Sequence, residues 1–217
     1  MRPAVEAVVF DVGETLVSEN RAWLEWADWL GVPPLTFLGV LGGAIARGED
    51  HRMPFRLLRP DADLRLERTR RVEAGLPELF IGDDLYPDAV PALLALRAAG
   101  YRVGVAGNQP RAAERLFDDV GVELDLVASS ESLGFEKPDA AFFAAIAARL
   151  ALPAASIAYV GDRIDNDVRP AAAAGMRAVF VRRGPWAWLQ AGREAAPGAD
   201  ATIDDLTTIV DVIRALA

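Results

Sequence analysis

Short apolar runs alternate with helical stretches through most of this chain: AVVF at Ala7–Phe10, YRVGVA from Tyr101, LDLVASS from Leu124, SIAYVGD from Ser156 and RAVFVRR from Arg177. The runs are rich in β-favouring residues and do not alternate polar with apolar positions, the pattern of strands buried on both faces. Between them lie helical stretches: YPDAVPALLALRAAG with Asp88 placed to cap it, RAAERLFDDVG, DAAFFAAIAARLA and VRPAAAAG. The tail adds a short edge strand at ATI and an amphipathic helix with Leu206, Ile209, Val210, Ile213 and Leu216 on one face. Strand and helix at this pitch require a parallel sheet covered on both sides. The expected fold is α/β, a doubly wound parallel sheet.

The rhythm breaks over residues 17–86. Trp23, Trp26, Ala27 and Leu30 share one helix face ending near Gly31, and Thr36–Arg47 and Asp61–Gly75 read as further helices. The indoles are expected to form the core of a small helical module. Arg65, Arg68, Arg70 and Arg71 read as a solvated face, the alternative being contact with an anionic substrate, and His51, the single histidine, as a surface residue in the polar loop HRMPFR, the alternative being a proton donor. The most apolar window, Leu35–Ala46, is about half the length of a bilayer span. Its GVLGG follows no strand and so is no dinucleotide fingerprint. Two domains are expected: a core of residues 1–16 and 87–217, and a helical insertion at 17–86.

Composition narrows the partners. A net charge of −9 repels phosphate backbones and anionic lipid, so neither nucleic acid nor membrane is expected, and the partner is a small molecule. The absence of cysteine removes disulfides and thiolate metal sites and makes a reducing cytoplasm the expected compartment. Glu6 and Asp11, on either side of the first strand, break any apolar leader-like run. Among 22 arginines there is one lysine, Lys137, a compact point charge that a planar guanidinium does not imitate.

Four of these segments end in residues suited to chemistry. Asp11 closes the first strand and is followed by Gly13 and Thr15; Gly107 and Asn108 close YRVGVAGN; Lys137 lies in SLGFEKPD; and Asp162, Asp165 and Asp167 follow IAYV. In open α/β sheets, strand ends of this kind line the ligand crevice. In order and spacing the four stretches resemble the motifs of the haloacid dehalogenase (HAD) superfamily, in the subfamily whose helical cap follows the first strand. The resemblance implies a Mg²⁺-dependent phosphatase with Asp11 as nucleophile, forming an aspartyl-phosphate. It implies metal ligation by Asp11, Asp162 and the backbone carbonyl of Gly13, with Asp167 as ligand or partner. Lys137 would neutralise charge, Thr15, Gly107 and Asn108 would bind substrate, and residues 17–86 would be the cap, screening the site and selecting a small phosphorylated metabolite.

Two positions depart from the phosphatase pattern. Gly13 stands where the family's acid/base Asp protonates the leaving oxygen, and the adjacent Glu14 is expected to point elsewhere along the turn. Gly107 stands where a Ser or Thr hydroxyl usually holds phosphate. Loss of a general acid costs about 10²- to 10⁴-fold in rate, so a slow enzyme, or one for good leaving groups, is implied. Two other readings follow from the same departures: a 2-haloacid dehalogenase, which leaves Asp162 and Asp167 without a task, and a binding or regulatory protein with a weakened site. A phosphonoacetaldehyde hydrolase would need a cap lysine, and residues 17–86 contain none.

Overall fold

The computed structural model describes residues 4–77, 79–192 and 194–216. It divides into a sheet-based unit, Met1–Ser18 with Leu85–Ala217, and a helical unit, Glu19–Asp84. Val17, Ser18, Leu85 and Tyr86 fall in the sheet unit rather than the insertion, because Val17 forms an antiparallel bridge with Leu85 and the Tyr86 amide donates to Leu16 O at 2.9 Å.

In the sheet unit, β1 (Ala7–Phe10), β2 (Arg102–Gly107), β3 (Leu126–Ser129), β4 (Ile157–Gly161), β5 (Arg177–Val181) and β6 (Ala201–Ile203) pair in parallel in the order β3-β2-β1-β4-β5-β6. The strand order reverses at β1, whose Phe10 lies opposite Val105 on one side and Val160 on the other. That reversal opens the crevice in which doubly wound sheets bind ligands. All four residues of β1 are fully buried. Helix α5 (Ala89–Ala98) precedes β2, and α6 (Ser130–Leu133) and α7 (Ala140–Leu150) lie between β3 and β4. Helix α7 turns Phe142, Phe143, Ile146 and Leu150 inward, with Phe143 edge-on to Tyr159 at 5.2 Å between centroids. Each such side chain stabilises by about 1.5–3 kcal/mol on full burial.

The remaining sheet-unit helices are α8 (Arg169–Ala173), α9 (Gly184–Ala191) and α10 (Ile209–Ala215). Three local expectations are corrected here, and one helix is added to them. RAAERLFDDVG forms a 3₁₀ helix, Arg111–Phe117, because only Ala113 and Phe117 are buried and Glu114 is drawn to Ser129 N and Oγ at 2.9 and 2.6 Å. Asp88 does not cap α5 with its side chain, which accepts instead from Arg183 and from the Leu206 amide. The helix in VRPAAAAG starts only at Arg169, because Val168 closes a π-turn, Ile164–Val168, that carries Asp165 and Asp167. Helix α9 was not expected at all.

The helical unit contains α1 (Asn20–Trp29), α2 (Pro34–Ala46), α3 (Met53–Leu58) and α4 (Leu64–Glu73). Ala27, Leu30, Val32, Phe37 and Phe55 form its core, with Trp23, Trp26 and Trp29 packed against it. HRMPFR is thus partly helix: α3 places Phe55 5.1 Å from Trp26 and 5.3 Å from Phe37 between ring centroids. His51 lies in the turn before it, half-buried rather than on the open surface, beside Asp50 and edge-on to Trp23 at 6.2 Å between ring centroids. Arg71 is not solvated. It is buried with its guanidinium 4.4 Å above the Trp26 ring and 3.0 Å from Glu25, because α4 packs that face inward. Among the described residues no single helix is long and apolar enough to cross a membrane.

Candidate active site

The ends of β1, β2 and β4 meet at the point of strand reversal. Asp11 continues the β1 ladder through its amide, which donates to Val160 O at 2.8 Å, and its side chain is nearly buried. The chain then curls: the amides of Leu16 and Val17 both donate to Val12 O, at 3.0 and 2.9 Å. This curl holds Gly13 beside Asp11 and buries Thr15, whose carbonyl accepts from Arg183 Nη1 at 2.9 Å and whose hydroxyl has no hydrogen-bond partner. Glu14 takes a left-handed conformation, φ +50°, and its Oε2 accepts from Tyr86 Oη at 2.6 Å. Arg183 lies over the Tyr86 ring at 4.3 Å. Burial and the Glu14 carboxylate together raise the pKa of Tyr86, so the phenol stays protonated as donor.

Lys137 is buried, with Nζ 2.6 Å from both Asp11 Oδ1 and Asp167 Oδ1 and 5.6 Å from the centre of the Tyr159 ring. Asn108 fixes its backbone at both polar groups: Oδ1 accepts from Lys137 N at 2.7 Å and Nδ2 donates to Lys137 O at 2.9 Å. Asn108 therefore positions the lysine, a role that sequence reasoning, which placed it with the substrate, did not find.

Asp162 follows β4 directly and is buried; Asp167 comes from the π-turn, fully buried, with Oδ2 accepting from Arg163 N at 2.9 Å. Asp165 turns the other way, to Arg163 and Gln190. Two glycines make room for these carboxylates. A Cβ on Gly107 would stand 2.7 Å from Asp11 Oδ1, and one on Gly161 would stand 2.5 Å from Asp167 Cγ.

Asp11, Asp162 and Asp167 each offer an oxygen, all within 4.8 Å of one another. Three carboxylates against one ammonium leave two negative charges in excess at a buried site, costly unless a cation is present. The donor set is hard oxygen throughout, which suits a small divalent cation such as Mg²⁺. Burial raises the pKa of Asp167 to about 6, with the Asp11 charge adding to the rise and Lys137 opposing it. For Lys137, burial pulls the pKa down, but Asp11 and Asp167 together outweigh it and the ammonium is held well above its usual range. The site thus combines a nearly buried carboxylate at a strand end, a fixed cation beside it and an acidic cluster.

Among solved structures, a HAD phosphatase from Thermococcus onnurineus superposes with a TM-score of 0.62 at 22% identity, covering 96% of this chain and 98% of that one. A 2-haloacid dehalogenase from Pseudomonas syringae pv. Tomato DC3000 superposes with a TM-score of 0.58 at 23% identity, covering 98% and 100%. At these identities the likeness shows the fold. A glyceraldehyde 3-phosphate phosphatase from Methanopyrus kandleri is 36% identical over 136 residues, 61% of this chain and 58% of that protein. The match takes in little more than half the length of the first curated relatives. The family model for haloacid dehalogenase-like hydrolases matches residues 5–175, spanning β1 to the end of α8 and every residue of the acidic cluster. The chain belongs to the haloacid dehalogenase-like hydrolase family.

Proposed function

We propose that the chain is a magnesium-dependent phosphohydrolase acting on a small phosphorylated metabolite. The observation that carries this reading is the convergence of Asp11, Asp162, Asp167 and Lys137 at the strand reversal. Asp11 attacks phosphorus opposite the leaving oxygen: an Asp11 oxygen–phosphorus bond forms, the bond to the leaving oxygen breaks, and water then hydrolyses the aspartyl-phosphate. Lys137 pins one oxygen of Asp11, which aligns the carboxylate and offsets charge in the transition state. Asp11, Asp162, Asp167 and the Gly13 carbonyl would hold Mg²⁺, which would supply charge neutralisation for the phosphoryl oxygens. Thr15, whose buried hydroxyl has no hydrogen-bond partner, and Gly107 are assigned to the phosphate side of the site. The helical unit Glu19–Asp84 is assigned substrate selection.

No carboxyl group is available at Gly13 to protonate the leaving oxygen, and Glu14 is engaged with Tyr86. Leaving groups that depart as stable anions, as in acyl and aryl phosphates, are therefore favoured. The named phosphatase activity of the Methanopyrus kandleri relative supports a small phosphorylated substrate. Displacement of halide instead would need no cation, which would leave Asp162 without a task and Asp167 only its bonds to Lys137 and the Arg163 amide.

The test is Mg²⁺-dependent release of phosphate from acetyl phosphate, p-nitrophenyl phosphate and a panel of sugar, triose and nucleotide monophosphates, with Asp11→Asn in parallel. Turnover that requires both Mg²⁺ and Asp11 supports the proposal. No turnover of any of them would replace it with a ligand-binding role, and metal-independent halide release from 2-haloacids would replace it with dehalogenation.

A further inference from the structure

Helix α9 grips the acidic loop from outside. Trp186 and Ala187 are buried on its inner face, Trp186 lies under the Arg163 guanidinium at 5.4 Å, and Gln190 follows one turn later on the same side. Trp188 and Leu189 face out, 51% and 48% exposed. Gln190 makes two hydrogen bonds, both to the loop between Asp162 and Asp167. Its Oε1 accepts from the Ile164 amide at 2.7 Å, and its Nε2 donates to Asp165 Oδ1 at 2.8 Å. Ile164 opens the π-turn, so its amide precedes the turn's own i→i+5 bonding and needs an outside acceptor. The neighbouring amide, of Arg163, is the one that holds Asp167 Oδ2.

We infer that Gln190 is a positioning residue for the metal-binding loop, setting cation affinity by fixing Ile164 and Asp165 midway between Asp162 and Asp167. This rests on the reading of Asp11, Asp162 and Asp167 as metal ligands. Outer partners that orient metal-binding residues typically change metal affinity by about 10- to 100-fold when removed. Gln190 suits the task because one amide group supplies both an acceptor and a donor, as the loop presents both an N–H and a carboxylate.

The experiment is calorimetric titration of the metal-free full chain with Mn²⁺ alone, with no substrate present. In Gln190→Glu the new carboxylate still accepts from the Ile164 amide but opposes Asp165, and affinity should fall about tenfold. Combining it with Asp165→Asn restores a donor across the same gap, and affinity should return to within about threefold of wild type, the signature of direct coupling. Leu189→Gln, on the outer face of the same helix, should bind as wild type. Unchanged affinity in Gln190→Glu, an equal loss in Leu189→Gln, or no rescue in the double variant would overturn the inference while leaving the metal site in place. A wild-type chain that binds no Mn²⁺ would remove the metal reading itself, and this inference with it.

Discussion

Gly107 and Asp11 share one small volume: a β-carbon on the glycine would stand 2.7 Å from the aspartate's Oδ1, the oxygen that Lys137 holds. The family resemblance treats Gly107 as a lost phosphate-binding hydroxyl. The geometry gives it a second meaning, since any side chain here must push the Asp11 carboxylate, the proposed nucleophile, aside. Gly107→Ser and Gly107→Ala should each lower kcat with p-nitrophenyl phosphate by about tenfold to a hundredfold, because a displacement of an ångström or less at a reacting atom has that cost. The intruding carbon also meets Val12 Cγ2 at 3.1 Å and displaces a carboxylate that Lys137 holds, so stability should fall by about 1–3 kcal/mol. Serine activity equal to or above wild type, in kinetics with both variants, would show that Asp11 tolerates the intrusion.

Lys137 is the cation that lets two carboxylates share the interior. Lys137→Met leaves Asp11 and Asp167 facing each other without it, and removing one partner of a buried ion pair costs about 3–5 kcal/mol. Urea unfolding of the metal-free protein at neutral pH should show a loss of that order. Saturating Mg²⁺ should recover part of it, since a ligand bound only by the folded state stabilises by mass action. A midpoint unchanged in urea would mean that the carboxylates are not held as charged groups.

Much of this arrangement was legible in the chain. The apolar run ending at Asp11 reads as a strand buried on both faces, and the same logic located β2, β4 and β5. The four charged side chains drawn from those strand ends and the Lys137 loop lie together in the structure. What escaped has a common physical cause. Arg71 looks like its exposed neighbours because burial of a guanidinium depends on an aromatic face, Trp26, that is remote in sequence. GPWAWLQA carries no clear period, and the value of Gln190 depends on meeting an amide presented by the loop after β4. Asn108 likewise showed its donor and acceptor but not that Lys137 would occupy both.

Asp167 gives the metal-free protein a defined pH dependence. Its folded pKa of about 6 lies above the ordinary aspartate value of about 3.9. A group that holds its proton more tightly when folded contributes stability in full below the lower value and loses it as pH rises through the upper one. That contribution to the thermal midpoint should therefore fall between about pH 4 and just above pH 6. Asp167→Asn should flatten this part of the profile. Mg²⁺ affinity should rise over the same interval, because the cation takes the ionised carboxylate. A profile unaltered by the substitution would assign the dependence to other groups.

On the proposed phosphohydrolase reading, Gly13 bears on which phosphates the site would cleave. The neighbouring carboxylate, on Glu14, accepts a hydrogen bond from Tyr86 at 2.6 Å from a left-handed backbone, so turning it toward a leaving oxygen would break that bond and rearrange the curl after β1. Wild-type rates should fall steeply as the leaving group becomes more basic, with acetyl phosphate and p-nitrophenyl phosphate cleaved and alkyl phosphates turned over slowly. Gly13→Asp places a carboxyl at the vacant position and should raise alkyl-phosphate turnover by about 10²- to 10⁴-fold, the usual contribution of a general acid. It should change acetyl phosphate little, since that leaving group needs no proton. The slope of log kcat against leaving-group pKa is therefore the discriminating quantity. A flatter slope in the variant identifies the missing proton donor as the limit on the wild-type enzyme. Equal slopes would mean that protonation is supplied from elsewhere or that another step limits turnover, and the preference for good leaving groups would lose its basis.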